Sequence, residues 1–476
     1  MGLEEELQGA LDIYERGWRE LRVDALDPGE MEEDARLGQS LFEDPSFPLD
    51  LIFVFGDETF ELERGGRGFG NGLVVPPGGA RAPPNLRRVH FGAFGAPEGS
   101  SCLGCHSRGG LNGAGTRTQN ILLAGDGEHA SSALERNPPH VLGLGPVAKL
   151  AEEMTTEIQA NAASAIDWAR QSGEAQTVSL TAKGIDFGSV VAFPDGTLDT
   201  SGLQAIDHDL VVKPFGWKGN LPTLRFASDQ AFSIHFGLQS DELINRAKLA
   251  STHDVVGPPE PNWFDPDQDG VQTEVSEGQL SSLETYFSLL EIPLIAPPED
   301  ETLLHYWSEG ARRFDEFGCL SCHAALRLQD PVLCVGRVGG RPGRCVDLRT
   351  DSEAPQIAAV PNTLGQLFPL TPGQGGYEVA LFSDLRRHDM GPDLAEPQPD
   401  QGVAGRMWLT RPLWGLADTA PYLHDGRASD VDEAIRWHGG EAAPARQAYV
   451  DAEESQRAAL RVFLMSLTRE AKILVQ

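Results

Sequence analysis

Two copies of one five-residue pattern constrain this chain more than anything else in it: Cys102-Leu103-Gly104-Cys105-His106 and Cys319-Leu320-Ser321-Cys322-His323. In each C-x-x-C-H, two thiols three residues apart on a turn can reach the two vinyl groups of one porphyrin, while the adjacent imidazole swings under the iron. The spacing therefore predicts two covalently attached c-type haems. Cys102, Cys105, Cys319 and Cys322 are the attachment residues, and His106 and His323 the first iron ligands. A zinc knuckle or a thioredoxin-like redox pair would also use paired cysteines, but neither explains a histidine in both copies.

Bulk properties narrow the setting. The 476 residues suffice for two or three domains, and a mean hydropathy of -0.27 reads as globular. No window approaches the ~18 consecutive apolar residues of a membrane span. The acidic start, MGLEEELQGALDIYERGWRE, lacks the basic and apolar regions of a secretion signal. Haem attachment to C-x-x-C-H generally happens outside the cytoplasm, so a periplasmic or otherwise extracytoplasmic location is expected, with residue 1 read as the start of a processed form. A net charge of -33 argues against nucleic acid as a partner. It suits solubility, or docking of a small basic redox protein that donates or accepts electrons. The two remaining cysteines, Cys334 and Cys345, flank the loop CVGRVGGRPGRC, and in an oxidising compartment a loop-closing disulfide is expected.

Along the chain, Leu7, Leu11, Tyr14 and Trp18 fall near one helical face. Gly38 and Phe42 precede Cys102 as Gly310 and Phe314 precede Cys319, so the first lead-in carries an insertion at about 46–98, alternating like a strand pair with Gly turns. An amphipathic helix is expected in VAKLAEEMTTEIQANAASAIDWARQ and hairpins in TVSLTAKGIDFGSVVAFPDGTLDTSGLQAIDHDLVVK, breaking at Asp195-Gly196. SEGQLSSLETYFSLLEIP closes the first unit, Pro297–Asp300 reads as a linker, and EESQRAALRVFLMSLTRE ends the second with a core stripe of Leu460, Phe463 and Leu467. The expected architecture is mainly α: two cytochrome c-like haem domains, 1–298 and 299–476, with short β-hairpins and the inserted loop region.

The blocks FGWKGNLPTLRFASDQAF, LRRHDMGPDL, RPLWGLADTAPYLHDGRA and EAIRWHGGEA, taken with the two haem motifs, resemble the dihaem c-type oxidoreductases described as peroxidases or "thiol oxidoreductases". More distantly, the chain is similar to bacterial dihaem cytochrome c peroxidases and the methylamine-utilisation dihaem enzyme. The resemblance covers about 100–470 and implies one relay haem and one peroxide-activating haem, often with calcium. By position it implies Met390 as second ligand of the C-terminal haem, a ligation that raises the potential, with His388 as competitor and core packing of the thioether as the bland alternative.

At the N-terminal haem the corresponding block reads Ser233-Ile234-His235-Phe236-Gly237. His235 is open between a second iron ligand, a distal acid/base group and a hydrogen-bonded core histidine. Relatives carry a carboxylate after the G-L-G turn where this chain has Pro146, Val147 and Ala148, leaving Glu152 or Glu153 as substitutes. Trp217 is read either as an electron-transfer residue between the haems or as an ordinary buried Trp. Lys218, Arg225 and Arg427 are candidate partners of haem propionates, or plain ion pairs. His424 and His438 are read as supporting the second haem pocket. Asp265, Asp267 and Asp269 alternate as in a calcium loop but lack the closing Glu.

These residues together suggest a peroxidase-like dihaem oxidoreductase relaying electrons from the C-terminal to the N-terminal haem for reduction of peroxide. The alternatives are a non-catalytic dihaem electron-transfer protein, and a dihaem oxygenase or protein-modifying oxidase whose pocket the 46–98 insertion shapes.

Overall fold

A computed structural model describes residues 101–123, 130–236, 275–338, 341–349, 376–379 and 381–469, with positions 238, 240–242 and 244. The expected first helix, the insertion at 46–98 and the Asp265, Asp267, Asp269 loop lie outside the described residues.

In chain order the elements are β1 (Ile121–Leu123), β2 (Leu134–Arg136), α1 (Leu144–Ser172), β3 (Gln176–Ala182), β4 (Ile185–Ala192), β5 (Leu198–Asp199), α2 (Leu224–Ala231), α3 (Glu277–Leu289), β6 (Leu294–Ile295), α4 (Glu301–Glu316), β7 (Leu326–Leu328), β8 (Val332–Val338), β9 (Arg341–Asp347), β10 (Tyr377–Val379), β11 (Arg387–Asp389), β12 (Met407–Leu409), α5 (Val431–Arg436), α6 (Ala443–Asp451), α7 (Glu454–Leu464) and β13 (Leu467–Thr468). The expectation of a mainly α fold is overturned. Helical turns of every kind take 39% and strands 20% of the described residues. The strands form β3-β4-β5 and five two-stranded ladders. Most are two or three residues long and add backbone hydrogen bonds within Gly- and Pro-rich loops.

The described residues divide into two compact units, each drawn from separate stretches. The first takes those of Met1–Pro138, Arg225–Leu289 and Cys334–Val346; the second takes those of Pro139–Leu224, Leu290–Leu333 and Asp347–Gln476.

In the first unit, α3 is buried on every side, and its Tyr286 hydroxyl exchanges hydrogen bonds with the Asn112 amide at 2.8 and 2.9 Å. β8 and β9 form a hairpin that Cys334 and Cys345 close as a disulfide, as expected from their loop.

In the second unit, α1 buries Val147, Leu150, Ala151, Met154, Ile158, Ala162, Ala165 and Ala169, a stripe at three- and four-residue spacing. It starts at Gly143 with φ +67 and stops at Gly173 with φ +70. The first glycine is required: a Cβ there would stand 2.6 Å from the Trp414 ring. Ala165 and Ala169 pack on Ala192 of the β3–β4 hairpin. That hairpin is the one the alternating pattern predicted, and the turn at Asp195-Gly196 falls between β4 and β5 with Asp195 Oδ1 accepting from Thr197 N.

Helix α4 begins at Asp300, whose carboxylate accepts from Leu303 N at 3.0 Å. It lays Trp307, Gly310, Ala311 and Phe314 against α7. Gly310 crosses Ala459 so closely that a Cβ would meet its carbonyl oxygen at 2.0 Å. Phe314, Phe382, Leu460, Phe463 and Leu467 form the centre of this core. The Gly and Phe of the repeated lead-in are thus a helix crossing and a core aromatic, and they aim the end of α4 at the second haem motif.

Candidate functional site

Helix α4 ends at Phe317, and Gly318 at φ +84 turns the chain straight into Cys319. In the following turn Cys322 N and His323 N both donate to Cys319 O, at 3.3 and 2.9 Å. The first motif repeats it: Cys105 N and His106 N donate to Cys102 O at 3.0 and 2.9 Å. None of these four cysteines is in a disulfide. Burial, with Cys105 nearby, pushes the Cys102 thiol up to about 12, and burial does the same to Cys319. Cys102 and Cys319 are thus neutral thiols and not the activated thiolates of a redox pair.

His323 is oriented from behind. Its Nδ1 faces the carbonyl of Phe382 at 2.9 Å, and since a carbonyl only accepts, Nδ1 carries the proton and Nε2 keeps its lone pair. Phe314 flanks the ring at 6.3 Å between centroids. Burial and the neighbouring His438 push the imidazole down to about 4, so it is neutral at physiological pH, the form that ligates metal.

His438 is the mirror of this arrangement. It follows α5, its Nδ1 faces Ala434 O at 2.8 Å, and burial lowers its pKa too. Its ring centre lies 6.4 Å from that of His323. Two imidazoles bound on opposite sides of one metal, at about 2.0 Å per metal–nitrogen bond, have ring centres roughly 6 Å apart. The residues present therefore fit an iron held between them, with Cys319 and Cys322 beside it.

Met390 sits next to this pair by its backbone: its N donates to Arg406 O at 3.0 Å, and its carbonyl would stand 2.7 Å from a Cβ at Gly439. The two glycines after His438 let that turn close onto the Asp389-Met390-Gly391 turn. His388 is engaged on both ring nitrogens, Nε2 with Asp384 and Nδ1 with Glu441, each at 2.8 Å. Cys322, Asp384 and His388 are, among the described residues, the only group of three or more His, Cys, Asp or Glu side chains that converge as metal ligands do, but Cys322 belongs to the haem motif. His424 lies stacked on Trp408, with ring centres 4.0 Å apart.

The basic candidates already hold acidic partners. Lys218 is fully buried, its Nζ 3.0 Å from Glu396, 2.6 and 3.0 Å from the carbonyls of Gly405 and Met407, and 3.3 Å over the Trp408 ring. Arg225 pairs with Glu242 and Glu277 and donates to Ser281 Oγ at 2.9 Å. Arg427 pairs with Asp425 at 2.7 Å and covers Trp437. Trp217 is half-buried in the second unit, its carbonyl accepting from Leu409 N. Glu152 is exposed and pairs with Lys149, while Glu153 pairs with buried Lys183 and accepts from the Gln329 and Asp330 amides.

In the first unit with Cys102, Cys105 and His106 is His235, half-buried on a π-helical turn, Phe232–Phe236, that continues α2. Such turns shift side chains out of helical register and recur at functional sites.

Residues 371–467 match the sequence model of the family described as "Di-haem oxidoreductase, putative peroxidase". Over that stretch, about a fifth of the chain, and in its two C-x-x-C-H motifs, the protein is similar to the di-haem oxidoreductases. No protein of curated function matches it in sequence. Among solved structures it is similar to a MauG-like protein associated with microbial copper homeostasis, at 16% identity over 68% of this chain and 89% of that one, with a TM-score of 0.29. It is also similar to the Kuenenia stuttgartiensis hydrazine synthase pressurised with 20 bar xenon, at 17% identity over 40% of this chain, with a TM-score of 0.22. The match spans 56% of that synthase chain. At those scores neither likeness carries an argument.

Proposed function

We propose that the protein is an extracytoplasmic, peroxidase-like dihaem c-type oxidoreductase with two haem-binding halves, 1–298 and 299–476. Cys102, Cys105 and His106 hold one haem, and Cys319, Cys322 and His323 the other, each through two thioether bonds and one imidazole. The haems supply redox-active iron whose potential the axial side chains tune.

One observation carries the assignment of roles: the His323 and His438 ring centres lie 6.4 Å apart at the second motif. His323 and His438 would together hold that iron and leave it no open position, which suits a relay role. Small-oxidant chemistry then belongs to the first haem, where His235 is the candidate ligand or acid/base group. Electrons enter at the second haem from a small redox protein, which the acidic chain attracts by charge, and hydrogen peroxide is reduced at the first. Calcium in the Asp265, Asp267, Asp269 loop would be a structural ion. If His235 closes the first iron as well, the protein is an electron carrier.

The test is magnetic resonance and magnetic circular dichroism of the ferric protein, with peroxide added after half-reduction. His/His ligation at one haem and prompt oxidation by peroxide at the other are expected. In His438→Ala the low-spin signal of the second haem turns high-spin. Two low-spin haems that leave peroxide untouched after half-reduction would establish the carrier instead, and a second haem with His/Met ligation would return the role to Met390.

A further inference from the structure

In a chain with 71 acidic and 38 basic residues, buried cations generally find carboxylates: Lys183, Lys218, Arg225, Arg387 and Arg469 all do. Arg411 does not. Among the described residues its only contacts are the Trp217 ring, 5.1 Å below the guanidinium, and the Gly216 carbonyl at 3.5 Å. Burial with no compensating anion pushes it down to about 10. Three residues on, the Trp414 indole N–H is also buried without an acceptor.

The backbone places Arg411 beside the second haem motif. Thr410 N donates to Arg386 O, Ser383 Oγ to Thr410 O, and Leu413 N to Leu381 O. Residues 410–413 therefore run alongside 381–386, the segment whose Phe382 carbonyl orients His323. A planar guanidinium in that position, stacked on an indole and lacking an anion, is shaped to take both oxygens of a carboxylate.

We propose that Arg411 is the anchor for a propionate carboxylate of the haem held by Cys319, Cys322 and His323, with Trp217 as the platform that fixes the guanidinium. This rests on the haem placement above. The sequence candidates Lys218, Arg225 and Arg427 have carboxylates of their own, and Arg411 brings a charge that no carboxylate among the described residues compensates. A positive charge there stabilises the reduced iron and keeps the propionate ionised.

The experiment uses the haem-loaded protein and its Arg411→Gln and Arg411→Lys variants. Haem stain on a denaturing gel and a haem-to-protein ratio come first; fewer than two covalent haems in the unsubstituted protein would overturn the haem placement, whatever Arg411 does. With two haems present, potentiometric titration should show the potential of the second haem falling in Arg411→Gln and becoming pH-dependent as the propionate titrates, with the first haem unmoved. The propionate bending band in the resonance Raman spectrum should shift in both variants, which keeps the test available through Arg411→Lys if Arg411→Gln does not fold. An unchanged band, or a potential shift confined to the first haem, overturns the proposal.

Discussion

Removing the Lys218 ammonium should cost more than removing it together with its partner. Lys218 Nζ is enclosed by Glu396 at 3.0 Å, two carbonyls within 3.0 Å and the Trp408 ring, and the Glu396 side chain is only 3% exposed. In Lys218→Met the stem is replaced at similar volume, but a buried carboxylate loses its counter-charge, a loss of about 3–5 kcal/mol. The two close carbonyls lose a donor at roughly 1 kcal/mol each. The sum is a large share of the ~5–15 kcal/mol by which domains are stable. In Lys218→Met with Glu396→Leu the charge term disappears and only about 2 kcal/mol of carbonyl loss remains. Urea unfolding of the haem-loaded proteins, followed by circular dichroism at equal slopes, measures the difference. A single variant within about 1 kcal/mol of the parent, or a double variant no more stable than the single, would refute the reasoning that the cage is held by charge.

Two further outcomes follow from the same structure. Replacing Cys334 and Cys345 by Ser should cost about 2–3 kcal/mol, the loop-closure value for a separation of 11 residues; a free-thiol assay of the denatured, unreduced parent should find neither cysteine. His388 is pushed up to about 11: burial opposes the charge, but hydrogen bonds and charge at Asp384 and Cys322 outweigh it, and the Asp384 share remains when Cys322 carries haem. A raised value stabilises the fold fully below the unfolded value near 6.5 and progressively less as pH climbs through 11. The stability gap between the parent and His388→Gln should therefore be widest near pH 6 and shrink toward pH 10; a gap constant with pH would mean that His388 is held as a neutral ring.

What could be read from sequence was what is local. Three-residue spacing defines the haem turns, a three- and four-residue stripe defines α1 and α7, and Asp195-Gly196 marks a real turn because only certain residues tolerate its backbone. The mainly α expectation failed for the complementary reason. Ladders such as Leu467–Thr468 on Leu294–Ile295 are two residues long and have no period to detect; distant backbone partners create them.

The candidate site divides in the same way. Cys102, Cys105, His106, Cys319, Cys322 and His323 are legible because each set is contiguous, and thioether chemistry needs nothing further away. Which residue faces His323 depends on the path of α5 and on two glycines that let its exit close onto the turn at Asp389–Gly391, so His438 could be seen only as a member of a block. The same holds for charge: Lys218, Arg225, Arg427 and Arg411 are alike as letters, and only packing shows that, among the described residues, three have carboxylates and one does not. The sequence by itself marked two candidate haem-attachment motifs, because such a motif is a property of five adjacent residues. The tertiary structure decided what surrounds the second, because axial partners and counter-charges come from segments that only the fold brings together.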